Sequence, residues 1–112
     1  MLRDSTRADA SFGFVGLSQQ SIFWEHRDVN SSPCKFTTVP IAPLPVYLRL
    51  VRRTNSISGA YSTDGSNWIW LGTNQITFSQ REFLAGLAVS SGTAASVEAV
   101  FDRVLIKNLK LE

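Results

Sequence analysis

Alternation of apolar and polar residues at period two runs through most of this chain, and it predicts strands. The clearest stretch is Pro45 to Gly72. Val46, Leu48 and Leu50 share one side there, and Tyr47, Arg49 and Val51 share the other. Arg53-Thr54-Asn55 interrupts the pattern, and Ile57, Gly59 and Tyr61 then form a second alternating face opposite Ser58, Ala60 and Ser62. Asp64-Gly65 is a turn signal, because glycine accepts the positive φ that tight hairpins need. Trp68 to Leu71 begins a third strand. The stretch therefore predicts a three-stranded antiparallel meander with the leucines turned inward.

Two further runs precede it. Ser11 to Leu17 sets Phe12 and Phe14 against Val15 and Leu17, and two apolar faces predict a strand inside a sheet. Ser21 to Arg27 sets Ile22, Trp24 and His26 against Phe23, Glu25 and Arg27, and pairs with the first run as a hairpin. Leu2 and Arg3 read as the end of a strand before the turn cluster Asp4-Ser5-Thr6. Residues 28–45 hold all four prolines, which removes ladder donors and allows only a short edge strand at Lys35 to Val39. Leu84 to Ser90, small and apolar, predicts a tightly packed inner strand, and Gly92-Thr93-Ala94-Ala95 a turn. Val97 to Lys107 predicts a long last strand with a bulge near Asp102, where the parity slips. About eight short strands without a convincing helix predict an all-β antiparallel β-sandwich.

Composition narrows the function classes. At 112 residues the chain is one domain. The net charge of +2 is scattered along it, unlike the concentrated basic stripe of a nucleic-acid surface. No apolar run reaches the length of a membrane-spanning helix, and the first residues lack the apolar core of a signal peptide. Cys34 is the single cysteine, so no intrachain disulfide forms.

The order and spacing of several short motifs resemble the bacterial concanavalin A-like (lectin/glucanase) jelly-roll domains. Tyr47-Leu48-Arg49-Leu50, Asn55, Ile57, Gly59, Tyr61-Ser62, Asp64-Gly65 and Trp68 are similar to that family's central pattern. Met1-Leu2-Arg3-Asp4-Ser5 and Phe14-Val15-Gly16-Leu17 resemble its earlier strands. Residues 85–91 and Phe101-Asp102-Arg103-Val104 resemble its last two. The resemblance spans nearly the whole chain. It implies a jelly-roll fold, a secreted or cell-surface parent protein and a non-catalytic accessory role. In the family the Met-Leu-Arg segment follows further strands, so the resemblance also implies that residues 1–112 are the C-terminal part of a larger domain. The chain would then carry open sheet edges through which it self-associates.

Catalytic sets are sparse. His26, the sole histidine, lies on the parity of Ile22 and Trp24 and reads as a structural residue; with one cysteine it makes no zinc set. Glycoside hydrolysis needs two carboxylates facing across a sugar, and no Glu-x-Asp-x-x-Glu run is present. No cofactor is expected. Asp64-Gly65-Ser66-Asn67 offers oxygens to calcium, but a hairpin turn explains the same residues with no metal.

The remaining constellation is Tyr47, Arg49 and Trp70, with Glu25 and Arg27 as further members. An aromatic plate stacks on the C–H face of a pyranose while Arg or an acid fixes hydroxyls. These five residues are the expected carbohydrate-binding set on a concave sheet face, with a polysaccharide or other glycan as partner. Trp68 is expected in the core. Tyr47 and Arg49 stacked on each other as a cross-strand pair is the competing explanation. Two other function classes stay open: a structural or protein–protein module without a sugar, and a remnant of a glycosidase.

Overall fold

Trp24 is where the two sheets of this protein meet. The computed structural model describes residues 1–78, 82–90 and 95–107. Its strands are β1 (Leu2–Arg3), β2 (Phe12–Leu17), β3 (Ser21–Arg27), β4 (Lys35–Pro40), β5 (Tyr47–Arg53), β6 (Ser56–Ser62), β7 (Ile69–Gln75) and β8 (Leu84–Ala85). One sheet has the order β4-β3-β2-β1-β8 and the other β5-β6-β7. Every pairing is antiparallel. No helix occurs among the described residues, and the architecture is all-β and sandwich-like.

The alternation within β3 decides how the sheets face each other. Ile22, Trp24 and His26 are buried, while Phe23, Glu25 and Arg27 on the opposite parity are partly exposed. Trp24 is 1% exposed and forms the core cluster with Ile57 and Ile76. Leu2, Leu50, Leu71 and Phe78 pack around that cluster. The indole fits because glycines surround it. A Cβ built on Gly59 would lie 2.5 Å from Trp24 Cε3, one on Gly72 2.7 Å from Cδ1, and one on Gly13 2.8 Å from Cη2. Ring carbons settle near 3.5–4.0 Å from their neighbours, so each of these positions excludes a side chain. The indole N–H, which would otherwise be buried without a partner, donates to Asn74 Oδ1 at 2.9 Å. One bulky residue thus fills the space between the sheets, and facing glycines let the backbones approach it.

Irregular segments are tied down by side chains. The buried Ser11 hydroxyl donates to the Thr77 carbonyl at 2.6 Å, and Thr77 N–H donates to the Asp28 carbonyl at 2.8 Å. These bonds carry the chain from β7 back across the end of the β2–β3 hairpin and place Ile76 in the core. His26, buried and stacked on Trp24, shares a 2.6 Å hydrogen bond with Asp28 through Nδ1. The short strand at Lys35–Pro40 lies at a sheet edge, where its terminal proline costs no ladder bond.

The C-terminal third departs from the sequence pattern. Of the inner strand expected over Leu84 to Ser90 only Leu84–Ala85 pairs, and Leu84, Leu87 and Val89 are exposed. It pairs with β1, and Met1 and Gly86 add two mutual hydrogen bonds of 3.0 Å, but among the described residues no pairing continues past Gly86. The long strand expected over Val97 to Lys107 is not formed, and Val100, Val104, Leu105 and Ile106 face solvent. The parity slip near Asp102 is a bend at Arg103, with φ of 53°. β-Propensity measures fit against a neighbouring strand, and among the described residues these have none. Of the turn expected at Gly92-Thr93-Ala94-Ala95, all but Ala95 lies outside the described residues.

Candidate functional site

The outer face of the three-stranded sheet is built by register. β5 and β6 pair Tyr47 with Ser62, Arg49 with Ala60 and Val51 with Ser58. β6 and β7 pair Ala60 with Trp70 and Ser58 with Thr73. Directly paired residues share a face, so these side chains lie together. The alternate residues Leu50, Ile57, Gly59, Gly72 and Asn74 look toward Trp24.

A bulge puts Trp70 on the outer face. Gly59 pairs with Gly72 but Ala60 pairs with Trp70, which leaves Leu71 as an extra residue in β7. The extra residue shifts the parity by one. Leu71 packs against the core cluster, and Trp70 stands 51% exposed on the other side. Without the bulge, strict alternation from Thr73 would turn Trp70 inward.

Arg49 is exposed, with its guanidinium carbon 4.0 Å from the ring centroid of Trp68. This stacking fixes the arginine through cation–π attraction. Trp68, expected in the core, is a partly buried outer-face residue beneath Arg49, and the core indole is Trp24. Tyr47 does not need Arg49 as a stacking partner. Its ring rests on Gly65, where a Cβ would lie 3.3 Å from Cζ and where φ is +80°. Ser58 Oγ and Thr73 Oγ1 are 2.8 Å apart in the neighbouring row. No carboxylate belongs to the paired strand residues of this face.

The loop under Tyr47 is organised by Asp64. Its carboxylate accepts hydrogen bonds from the backbone N–H groups of Asn67 and Ser66, the Asn67 side-chain amide and the Ser62 hydroxyl. Those donors, the Asn67 N–H first, hold its pKa well below the usual carboxylate range. Both oxygens are therefore engaged in closing the turn, which opposes a calcium role for this residue. Among the described residues no three His, Cys, Asp or Glu groups gather as metal ligands.

Glu25 and Arg27 stand elsewhere. Both lie on the parity opposite Trp24 in β3, so they face outward from the five-stranded sheet, on the far side of the sandwich from Trp70. In register, Glu25 sits between Phe14 and Phe36. Arg27 donates to the carbonyls of Ser32, Ala8 and Ala10 at 2.8 to 3.1 Å, contacts Cys34 Sγ and lies over the Phe12 ring. That guanidinium clamps two loops and has few donors left for a ligand. The five residues expected as one set therefore divide into three on one face and two on the other, and Ser58 and Thr73 join the three. The parity that groups Ser58 with Ala60 was visible in the alternation of β6.

Fold and face together define an all-β, sandwich-like protein with an exposed aromatic, cationic and hydroxyl-bearing sheet surface. Compared with protein-family models, with curated proteins and with solved structures, the chain matches none.

Proposed function

We propose that this chain is a non-catalytic recognition module of the concanavalin A-like jelly-roll type, and that it binds carbohydrate on the outer face of β5–β6–β7. The observation that carries this reading is the half-exposed Trp70 on one face with Arg49 and the Ser58–Thr73 hydroxyl pair. A pyranose ring lays its C–H face on the Trp70 indole, which removes apolar area from water on both partners. The Arg49 guanidinium makes no hydrogen bond or ion pair among the described residues, and Trp68 restricts its motion. Its N–H groups then donate to sugar hydroxyls at reduced entropic cost. Ser58 and Thr73 exchange their mutual hydrogen bond for bonds to the same sugar. Serving a secreted or surface-bound parent protein, such a face would hold it on a polysaccharide.

Affinity electrophoresis through gels carrying soluble polysaccharides tests the reading. At least one glycan retards the protein, and Trp70→Ala weakens that retardation about tenfold or more, the size typical of an aromatic hot spot. Arg49→Ala weakens it as well, whereas Glu25→Ala leaves it unchanged. Equal retardation of wild type and Trp70→Ala, or migration unaffected by every polysaccharide in a broad panel, would reject the proposal.

A further inference from the structure

The outer face of β5–β6–β7 carries charge of one sign. The residues of β5 that look outward there include Arg53 as well as Arg49, and both are exposed. Arg52 between them turns to the opposite side, where its guanidinium lies over the rings of Phe78 and Phe83. Four residues of strand at about 3.3 Å each set the two outward arginines about 13 Å apart along β5. Pairing lays the face out in rows. Arg49 shares a row with Trp70, Ser58 and Thr73 share the next, and Arg53 begins the one after. The Ser58–Thr73 hydroxyl pair therefore sits between the Trp70 row and the Arg53 row.

No acid on the face offsets that charge. None of its paired strand residues is acidic. The ion pairs among the described residues are Arg7–Asp9 and His26–Asp28, and neither the Arg49 nor the Arg53 guanidinium donates a hydrogen bond to any described group. Asp64 stands in the turn beyond the Tyr47 end, where its oxygens are taken up by Ser62, Ser66 and Asn67. A planar guanidinium fork matches a carboxylate through two parallel, charge-assisted bonds, whereas a neutral glycan offers it only hydroxyls. We infer that the ligand of this face is an acidic polysaccharide, whose carboxylates pair with Arg49 and Arg53 while one of its rings stacks on Trp70. Ser58 and Thr73 bond the sugar that lies between the two charged ends. The inference rests on the reading of this face as sugar-binding and adds the charge of the sugar. The separation of the arginines calls for an oligosaccharide stretch, so a single uronic acid fills only part of the site.

Matched glycans test it. Isothermal titration calorimetry compares polygalacturonate with its methyl ester, and glucuronoxylan with its carboxyl-reduced form. At low salt at least one acidic member binds about fourfold to twenty-five-fold tighter than its neutral counterpart, as two exposed ion pairs at about twofold to fivefold each would give. Raising the salt closes that gap. Arg53→Gln, at an exposed position, narrows it about twofold to fivefold, and Arg49→Gln combined with Arg53→Gln abolishes it. Glu25→Gln, on the far side of the sandwich, leaves it as it is. Equal affinity for acidic and neutral members, or a gap that Arg53→Gln does not change, overturns the acidic assignment and leaves a sugar-binding face standing. Dextran sulfate or oligothymidylate bound as tightly as the acidic glycans overturns it too, because general attraction between charges then accounts for the binding. A protein retarded only by neutral polysaccharides in the broad panel sinks this inference alone; one retarded by none removes the sugar-binding reading along with it.

Discussion

Replacing Gly59 with alanine perturbs the contact on which the two sheets depend. The new Cβ would lie 2.5, 3.0 and 3.2 Å from three ring atoms of Trp24. A carbon pair is comfortable near ~3.5–4.0 Å, so the indole would have to retreat by about 1 Å. It has no room to do so. Gly72 and Gly13 bound it closely, and its N–H is held by Asn74 at 2.9 Å. Overpacking of this kind costs about 1–3 kcal/mol. Stretching or breaking the indole hydrogen bond adds about 1 kcal/mol. The lower chain entropy of alanine in the unfolded state returns about 0.4–1 kcal/mol. The net expectation is a loss of roughly 1–3.5 kcal/mol, a large share of the ~5–15 kcal/mol stability of a typical domain. Urea unfolding followed by tryptophan fluorescence measures it, and the midpoint should fall by about 1–2 M for a slope in the usual range. Gly86→Ala is the internal control, because a Cβ there meets nothing within 4 Å. It should shift stability by no more than about 0.5 kcal/mol. Trp24→Phe combined with Gly59→Ala should cost less than the sum of the single changes, since the smaller ring frees the space that alanine takes. A wild-type midpoint for Gly59→Ala, or strict additivity in the double variant, would refute the idea that a glycine-walled indole joins the sheets.

Other expectations follow from the same contacts. Ser11→Ala leaves the Thr77 carbonyl without its buried donor and should cost about 1–3 kcal/mol in chemical denaturation. Arg27→Ala releases both loops that the guanidinium holds, and Arg27→Lys should not rescue it, because an ammonium cannot reach three carbonyls in a fixed fork; limited proteolysis at residues 5–10 and 28–34 reads this out. Asp64 has a folded pKa below its unfolded value near 3.8, so its contribution is complete above that value and is lost as pH falls toward the folded pKa. Asp64→Asn should therefore flatten the acid limb of a thermal-unfolding pH series, and an unchanged acid limb would remove the carboxylate from its place in the turn.

Most of the strands were legible because their alternation is local. Ser21 to Arg27 shows period two without interruption, and the buried set Ile22, Trp24 and His26 follows from it directly. The meander of β5, β6 and β7 was legible for the same reason, with Asp64-Gly65 marking its turn. The last two expected strands show where the method stops. Residues 84–90 and 97–107 have the composition of strands, yet a strand exists only when another supplies hydrogen bonds. Sequence reports the capacity to pair and is silent on whether a partner lies alongside.

The candidate face depends on a feature of a different kind. A bulge adds one residue to one strand of a pair, and a single strand's sequence carries no record of its neighbour's count. Read alone, Trp68-Ile69-Trp70-Leu71 assigns both tryptophans to one side. The side follows only from the pairing of Gly59 with Gly72 and of Ala60 with Trp70. Gly59 and Gly72 pair because Trp24 needs both positions empty above its ring, and Leu71 is displaced into the core beside them. The packing of a third strand, β3, thereby fixes the register that exposes Trp70. It follows that the exposed indole and the buried one are coupled through β7, so a change that loosens Trp24 should disturb the face as well as the core.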